Sequence, residues 1–249
     1  MTPQPIAIIA ALRDELKGFT GRVTPRHVVN QPPLTIVEGE FQRVPILLVR
    51  TGMGRGNTFK ALSFLFERYA PSLLLSTGCA GATQPAITSG DLILATDVRV
   101  LNPDVEVVAR STQKWLNLAK EVAEAGKLPY HQGSLLTVDK IIAKPHEKAF
   151  LGTRAEVLAL EMETAEVARW AVRKKLPFLA VRAIFDPVSQ ALPDFEQFLR
   201  PDLSISPIRA VQFLLQEPGK IFELVRFRKF ANSAKTAISH FLELFLPRV

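Results

Sequence analysis

Three short segments of this 249-residue chain combine residue types that can do chemistry. Thr51-Gly52-Met53-Gly54-Arg55-Gly56-Asn57 alternates glycines just ahead of a helical pattern. Such spacing lets the backbone approach a ligand, and a helix N-terminus beside Arg55 suits an anion. A dinucleotide fingerprint would add an acidic residue about 20 positions on, at the end of the next strand. That strand ends Leu75-Ser76-Thr77, which disfavours such a cofactor and leaves a glycine-packed turn as the structural alternative. The second segment, Gly78-Cys79-Ala80-Gly81-Ala82, reads as a loop of small residues that admits either a substrate or close packing. A nucleophilic Cys79 would need a paired imidazole and a depressed thiol pKa. His27, His131, His146 and His240 offer no recognisable pairing pattern. In the third, Leu160-Glu161-Met162-Glu163-Thr164, two carboxylates stand at a strand-to-helix junction, where the helix dipole and capping alone can account for them. Glu15 and Asp186, however, also follow apolar strands. Acidic residues at three places on the rim where open α/β sheets bind ligands are harder to dismiss than any one of them.

The elements that must position these groups are legible as short apolar runs. Ile6 to Ala11, Thr35 to Glu38, Val44 to Arg50, Ser72 to Thr77, Leu92 to Val98, Val157 to Leu160 and Phe178 to Ile184 have the length of buried strands. Several are continuously apolar, as strands covered on both faces must be. Between them, Asn57 to Tyr69, Leu116 to Ala125 and Thr164 to Lys175 carry apolar residues at helical spacing. The alternation predicts an α/β fold, a three-layer αβα sandwich with a twisted, mostly parallel central sheet. One domain is expected over residues 1–205, followed by a helical basic tail over 206–249.

Composition sets the outer bounds. A hydrophobic content of 47% with 22% charged residues describes a chain with a large core, not a disordered one. A single cysteine excludes an intramolecular disulfide framework and a cysteine-rich metal site. No basic residues precede the first apolar run, so a secretory signal is not expected and a cytoplasmic setting is. The formal charge of +7 favours acidic partners. No zinc-finger spacing or interleaved basic and aromatic stacking motif supports nucleic acid as one of them.

Ile6 to Glu15, Thr51 to Gly54, Thr77 to Gly81, Ser89-Gly90-Asp91, Glu161 to Glu163 and Val181 to Asp186 occur in an order that resembles the purine nucleoside phosphorylase and nucleosidase superfamily. The pattern is most similar to its methylthioadenosine/S-adenosylhomocysteine nucleosidase side. The continuation from Asp186-Pro187 to Leu192-Pro193 and the basic tail resemble the hopanoid-associated phosphorylase branch. The resemblance implies cleavage of the N-glycosidic bond of a purine nucleoside, of adenosyl type, without metal or organic cofactor. It extends to a hydrophobic adenosyl substrate such as adenosylhopane, with methylthioadenosine or S-adenosylhomocysteine as the alternative. Such cleavage passes through an oxocarbenium-like state that carboxyl groups assist, as in glycoside hydrolysis. By resemblance Asp186 protonates the departing purine, and Glu163 holds the ribose hydroxyls and stabilises the cationic sugar. Met162 packs on the sugar face, and Glu15 orients or deprotonates water. Gly52, Gly81, Glu161, Ile141 and Ile142 line the nucleoside.

Departures from the pattern bear on specificity. Phe185 stands where nucleosidases place a small polar residue, Cys79 where a serine is common, and Ile141 where a base-stacking phenylalanine is common. Together they imply a more apolar pocket. Ser76 stands where hexameric phosphorylases carry a phosphate-binding arginine, so water is the expected acceptor, with Arg55 the candidate ligand should phosphate be used. A nucleoside-binding protein without catalysis is the rival reading, and retention of Glu15, Glu163 and Asp186 argues against it. The resemblance also implies a homo-oligomer. The tail, Gly219 to Val249, interleaves Lys220, Arg226, Arg228, Lys229, Lys235 and Arg248 with phenylalanines and leucines. It is expected either to pack on the core or another subunit, or to make a peripheral membrane contact.

Overall fold

The computed structural model describes residues 3–191 and 221–249. The expected boundary between residues 205 and 206 lies outside the described residues. The first apolar run, β1 (Ile6–Ala10), is buried throughout and shows how the layers are built. Successive strand side chains point to opposite faces. Ile6, Ile8 and Ala10 enter one cluster with Leu116, Ala119 and Phe241. Ala7 and Ile9 enter another with Leu62, Leu65 and Ala168. Helices therefore cover both faces of one central sheet.

After β1 come a 3-10 turn (Arg13–Leu16), α1 (Lys17–Thr20), and the strands β2 (Thr24–Gln31), β3 (Leu34–Phe41) and β4 (Val44–Arg50). Then follow α2 (Arg55–Arg68), β5 (Leu73–Ala82), β6 (Leu92–Leu101), β7 (Val105–Arg110), α3 (Gln113–Ala125) and β8 (Tyr130–Thr137). The remaining described elements are α4 (Pro145–Ala155), β9 (Ala159–Glu161), α5 (Thr164–Lys174), β10 (Phe178–Asp186) and a helix labelled α6 (Ile221–Phe245). The sheet is mixed. Its centre is parallel, with β1 between β4 and β5 and with β10 beside β5. Antiparallel strands extend it: β3 on β4, β2 on β3 and β7 on β6, while β10 meets β6 antiparallel. Glu15, Glu161 and Asp186 consequently emerge at or just beyond strand carboxyl ends.

Phe227, Ala234, Ile238, Phe241, Leu242 and Phe245 of α6 share one face and are buried in the same cluster as Ile8 and Leu116. Each such Phe or Leu contributes roughly 1.5–3 kcal/mol of apolar burial. Lys235 Nζ reaches Asp14 Oδ2 at 3.0 Å, pinning the helix to the turn that carries Glu15. Of the two expected placements of the tail, the described part of its apolar face takes packing on the core. Among the described residues, no helix is long and apolar enough to cross a membrane.

Candidate active site

Glu15 rides on the 3-10 turn after β1 and is 6% exposed. Its Oε1 accepts the Cys79 N–H at 2.8 Å and its Oε2 the Leu12 N–H at 2.8 Å. The contact with Cys79 depends on Gly78, whose φ is +137°. A Cβ there would lie 2.4 Å from Arg182 Nη1 and 2.7 Å from Glu15 Oε1. The small residues of this segment thus admit protein side chains, an acid and a base, to its backbone. Their expected loop is in fact the last part of β5, which runs to Ala82.

Glu161 and Glu163 are two residues apart and differ sharply in partners. Glu161 Oε2 accepts the Glu163 N–H at 3.0 Å and the Thr164 N–H at 2.7 Å, closing the start of α5. It also accepts Thr164 Oγ1 at 2.6 Å and Arg182 Nη2 at 2.7 Å, while Thr137 donates to Oε1. Its oxygens thus bond to the start of α5, to Thr137 and to Arg182. Among the described residues Glu163 Oε1 accepts only the Gly54 N–H, at 2.8 Å, and its Oε2 is 4.0 Å from Arg182 Nη2. Burial raises the Glu163 carboxyl, the nearby Glu161 raises it further, and Arg182 opposes both, leaving it at about 8. The first glycine segment is tied to the same wall: Gly54 has φ +84°, and Gly52, with φ +83°, donates to Ala11 O at 3.0 Å.

Arg182 was not singled out by residue spacing. It is 1% exposed within β10, donating to Thr77 O at 2.8 Å and Ser76 Oγ at 3.2 Å as well as to Glu161. An arginine inside an otherwise apolar strand was the available signal, because a buried guanidinium must find several acceptors.

Asp186 ends β10 just past a register shift between Ile184 and Asp186. A bulge of this kind re-aims a side chain. Its carboxyl lies against Gly81, where a Cβ would be 3.0 Å from Oδ1. Lys148, also missed in the sequence, donates from Nζ to Asp186 Oδ2 at 2.7 Å. Burial pushes the Asp186 carboxyl up and Lys148 opposes the rise, leaving it at about 6. Phe185 is half-buried and its ring centroid is 6.0 Å from that of Phe227 on α6.

Cys79 is half-buried, and burial and then Glu15 push its thiol well above the usual range, the reverse of an activated nucleophile. Arg55 Nη1 pairs with Asp139 Oδ1 at 3.1 Å, joining the first glycine segment to the loop that carries Ile141 and Ile142. Ile142 packs partly buried near Leu136 and Leu160. Ile141 and Met162 are half-buried on the same rim. Among the described residues, no group of three His, Cys, Asp or Glu side chains is placed to hold a metal ion.

The chain is similar to known proteins in sequence and in fold. A methylthioadenosine/S-adenosylhomocysteine nucleosidase of Bacillus licheniformis is 27% identical over 214 residues, 78% of this chain and 91% of the relative. The same nucleosidase from Anoxybacillus flavithermus is 25% identical over 86% of this chain and 99% of its own. Among solved structures, a Helicobacter pylori methylthioadenosine/S-adenosylhomocysteine nucleosidase superposes with a TM-score of 0.78 at 16% identity, covering all of both chains. The futalosine hydrolase of Helicobacter pylori superposes at 0.72 with 16% identity, covering 96% of this chain and 97% of its own. At that identity the superpositions establish a shared fold. Residues 5–201 match the family model described as the phosphorylase superfamily, and the chain belongs to that family.

Proposed function

We propose that this protein hydrolyses the N-glycosidic bond of an adenosyl-type purine nucleoside. One observation carries the reading. Glu15 lies against Gly78 and Asp186 against Gly81 on the same strand β5, Glu15 acts on Glu163, and Glu163 and Asp186 are raised toward neutrality, as acid–base and transition-state roles require. Asp186 gives a proton to the departing base. Glu163 binds the ribose hydroxyls and stabilises positive charge on the sugar, and that charge in turn favours the ionised carboxylate. Glu15 spends one lone pair of each oxygen on a backbone N–H and retains others to hold the attacking water. Water is favoured over phosphate because Arg182 is taken up by Ser76, Thr77 and Glu161, and Arg55 by Asp139. The curated relatives named above, methylthioadenosine/S-adenosylhomocysteine nucleosidases, support the adenosyl class.

A second reading gives the nucleoside a large apolar 5′ group. Phe185, backed by Phe227, favours it by replacing a small polar residue with an apolar wall. A homo-oligomer belongs to the same proposal, and Phe59 (45% exposed), Phe150 (61%) and Val172 (61%) supply apolar surface for it. The test incubates the protein with adenosine, methylthioadenosine, S-adenosylhomocysteine and an alkyl-adenosine, with and without phosphate, and assays free base and sugar. Adenine released at a phosphate-independent rate is expected. A ribose 1-phosphate product formed only with phosphate would move the acceptor role to Arg55, and no cleavage of any substrate would remove the proposal.

A further inference from the structure

Lys148 places an ammonium group where an apolar side chain would be expected. It is 1% exposed on α4. Its Nζ donates to Asp186 Oδ2 at 2.7 Å, to Pro187 O at 3.1 Å and to Gln190 O at 2.8 Å. An ammonium has three N–H donors, and here all three end on the segment that begins with the acid. A buried charge is costly unless its partners are well placed, so this cation must be held to one geometry. Oδ2 faces the ammonium, and the carboxyl lies on the glycine backbone of Gly81 at the end of β5.

We propose that Lys148 is a positioning residue for Asp186: it fixes Oδ2, leaves Oδ1 to face the departing base, and favours release of the proton from that carboxyl. The inference rests on the proposed hydrolysis. Among the described residues, the groups that face Asp186 are Lys148 from α4, Gly81 and the Cys79 thiol from β5, and the backbone of β10 itself. Lys148 is therefore the positive charge among the described residues that acts on this acid. Its effect opposes the rise that burial imposes on the carboxyl. A clamp holding only the chain at residues 186–190 would need the two carbonyl bonds but not the charge.

The distinction can be read in a pH profile. Cleavage needs Asp186 protonated and Glu163 ionised, at about 6 and about 8 in the free protein. Below both values the rate follows the ionisation of Glu163. Between them the gain at Glu163 cancels the loss of the Asp186 proton, and above both the rate falls with that proton. The lower break in kcat/KM therefore belongs to Asp186. In Lys148→Met it should move up by about one pH unit or more, the usual effect of removing an adjacent opposite charge, and the upper break should stay. Lys148→Arg, which keeps the charge, should return the break toward its original place. Lys148→Gln removes the charge but keeps a donor for the carbonyls, and it serves where the methionine variant does not fold. The 13C NMR titration of the labelled Asp186 carboxyl should shift upward in the same charge-removing variants. An unmoved break and an unmoved carboxyl titration in a folded variant would overturn the proposal. Should the wild-type protein cleave no nucleoside, the functional reading fails, and the carboxyl titration still decides whether Lys148 governs Asp186.

Discussion

The two acidic corners of the site solve the burial of carboxylates differently. At the start of α5, Glu161 and Glu163 lie beside one guanidinium, and Glu161 takes nearly all of its hydrogen bonds. Glu163 is left with a single backbone N–H and rises to about 8. At the end of β10, Asp186 has an ammonium of its own and settles at about 6. Both acids are under one-tenth exposed, so burial alone does not separate them. The neighbouring charges do: Glu161 repels Glu163 and takes most of the shared guanidinium, while Lys148 serves Asp186 alone among the described residues. They divide the carboxylates into one that builds the wall, one left to answer a developing positive charge, and one held ready to give up a proton.

Removing the shared cation should have the largest effect. Arg182→Ala leaves Glu161 buried without its ion partner and should cost about 3–5 kcal/mol in urea unfolding. Retention of wild-type stability would mean that Thr137, Thr164 and the amides suffice for Glu161. Next come the two acids. Asp186→Asn and Glu163→Gln should each lower kcat about 100-fold or more, by loss of acid catalysis and of charge stabilisation. Their stabilities should diverge. In Asp186→Asn the buried Lys148 loses its counter-charge above about pH 6, at a cost on the order of 3 kcal/mol, and the rise of Asp186 only to about 6 limits what this variant gains with pH. Glu163→Gln keeps an acceptor for Gly54 and removes a charge that the site disfavours. The Glu163 proton is bound more tightly in the folded chain, so its contribution is fully present below about 4.5 and is lost as pH rises through about 8. The variant should therefore gain on the wild type between pH 5 and pH 9, by on the order of 4 kcal/mol. Melting curves of both variants at pH 5 and pH 9 check the signs, and equal shifts at the two pH values would break the distinction. The smallest effect belongs to Cys79. Its raised thiol predicts slow alkylation by iodoacetamide at pH 7.5, and Cys79→Ser should leave kcat within about threefold. Loss of turnover with the serine would restore a direct role for sulfur.

How far this was legible in the sequence depended on burial. Strands covered on both faces, such as Ile6–Ala10 and Phe178–Asp186, announce themselves as apolar runs. β2 and β7 escape that criterion because most of their residues are exposed, and β8 because it begins Tyr-His-Gln-Gly. The three carboxylates were legible because each sits where a strand gives way to the next element. The roles of their cations were not. Lys148 belongs to α4, whose apolar spacing is too weak to mark a helix, and it meets Asp186 only through the fold. Arg182 was visible as a charge inside the apolar run of β10, but the run does not say which way that side chain points or what accepts from it. The tail showed the opposite limit. Its phenylalanines and leucines fit an amphipathic helix, but periodicity does not say whether a bilayer or a core receives the apolar face, and here it is the core that contains Ile8 and Leu116.

The central claim is that Glu163 and Asp186 together break an N-glycosidic bond. Its most direct test is adenine release from methylthioadenosine, followed by chromatography at pH 7 for the wild-type protein, Glu163→Gln and Asp186→Asn in parallel. Release by the wild type, with both variants folded and at least about 100-fold slower, is the predicted result. Undiminished release by either folded variant would contradict it.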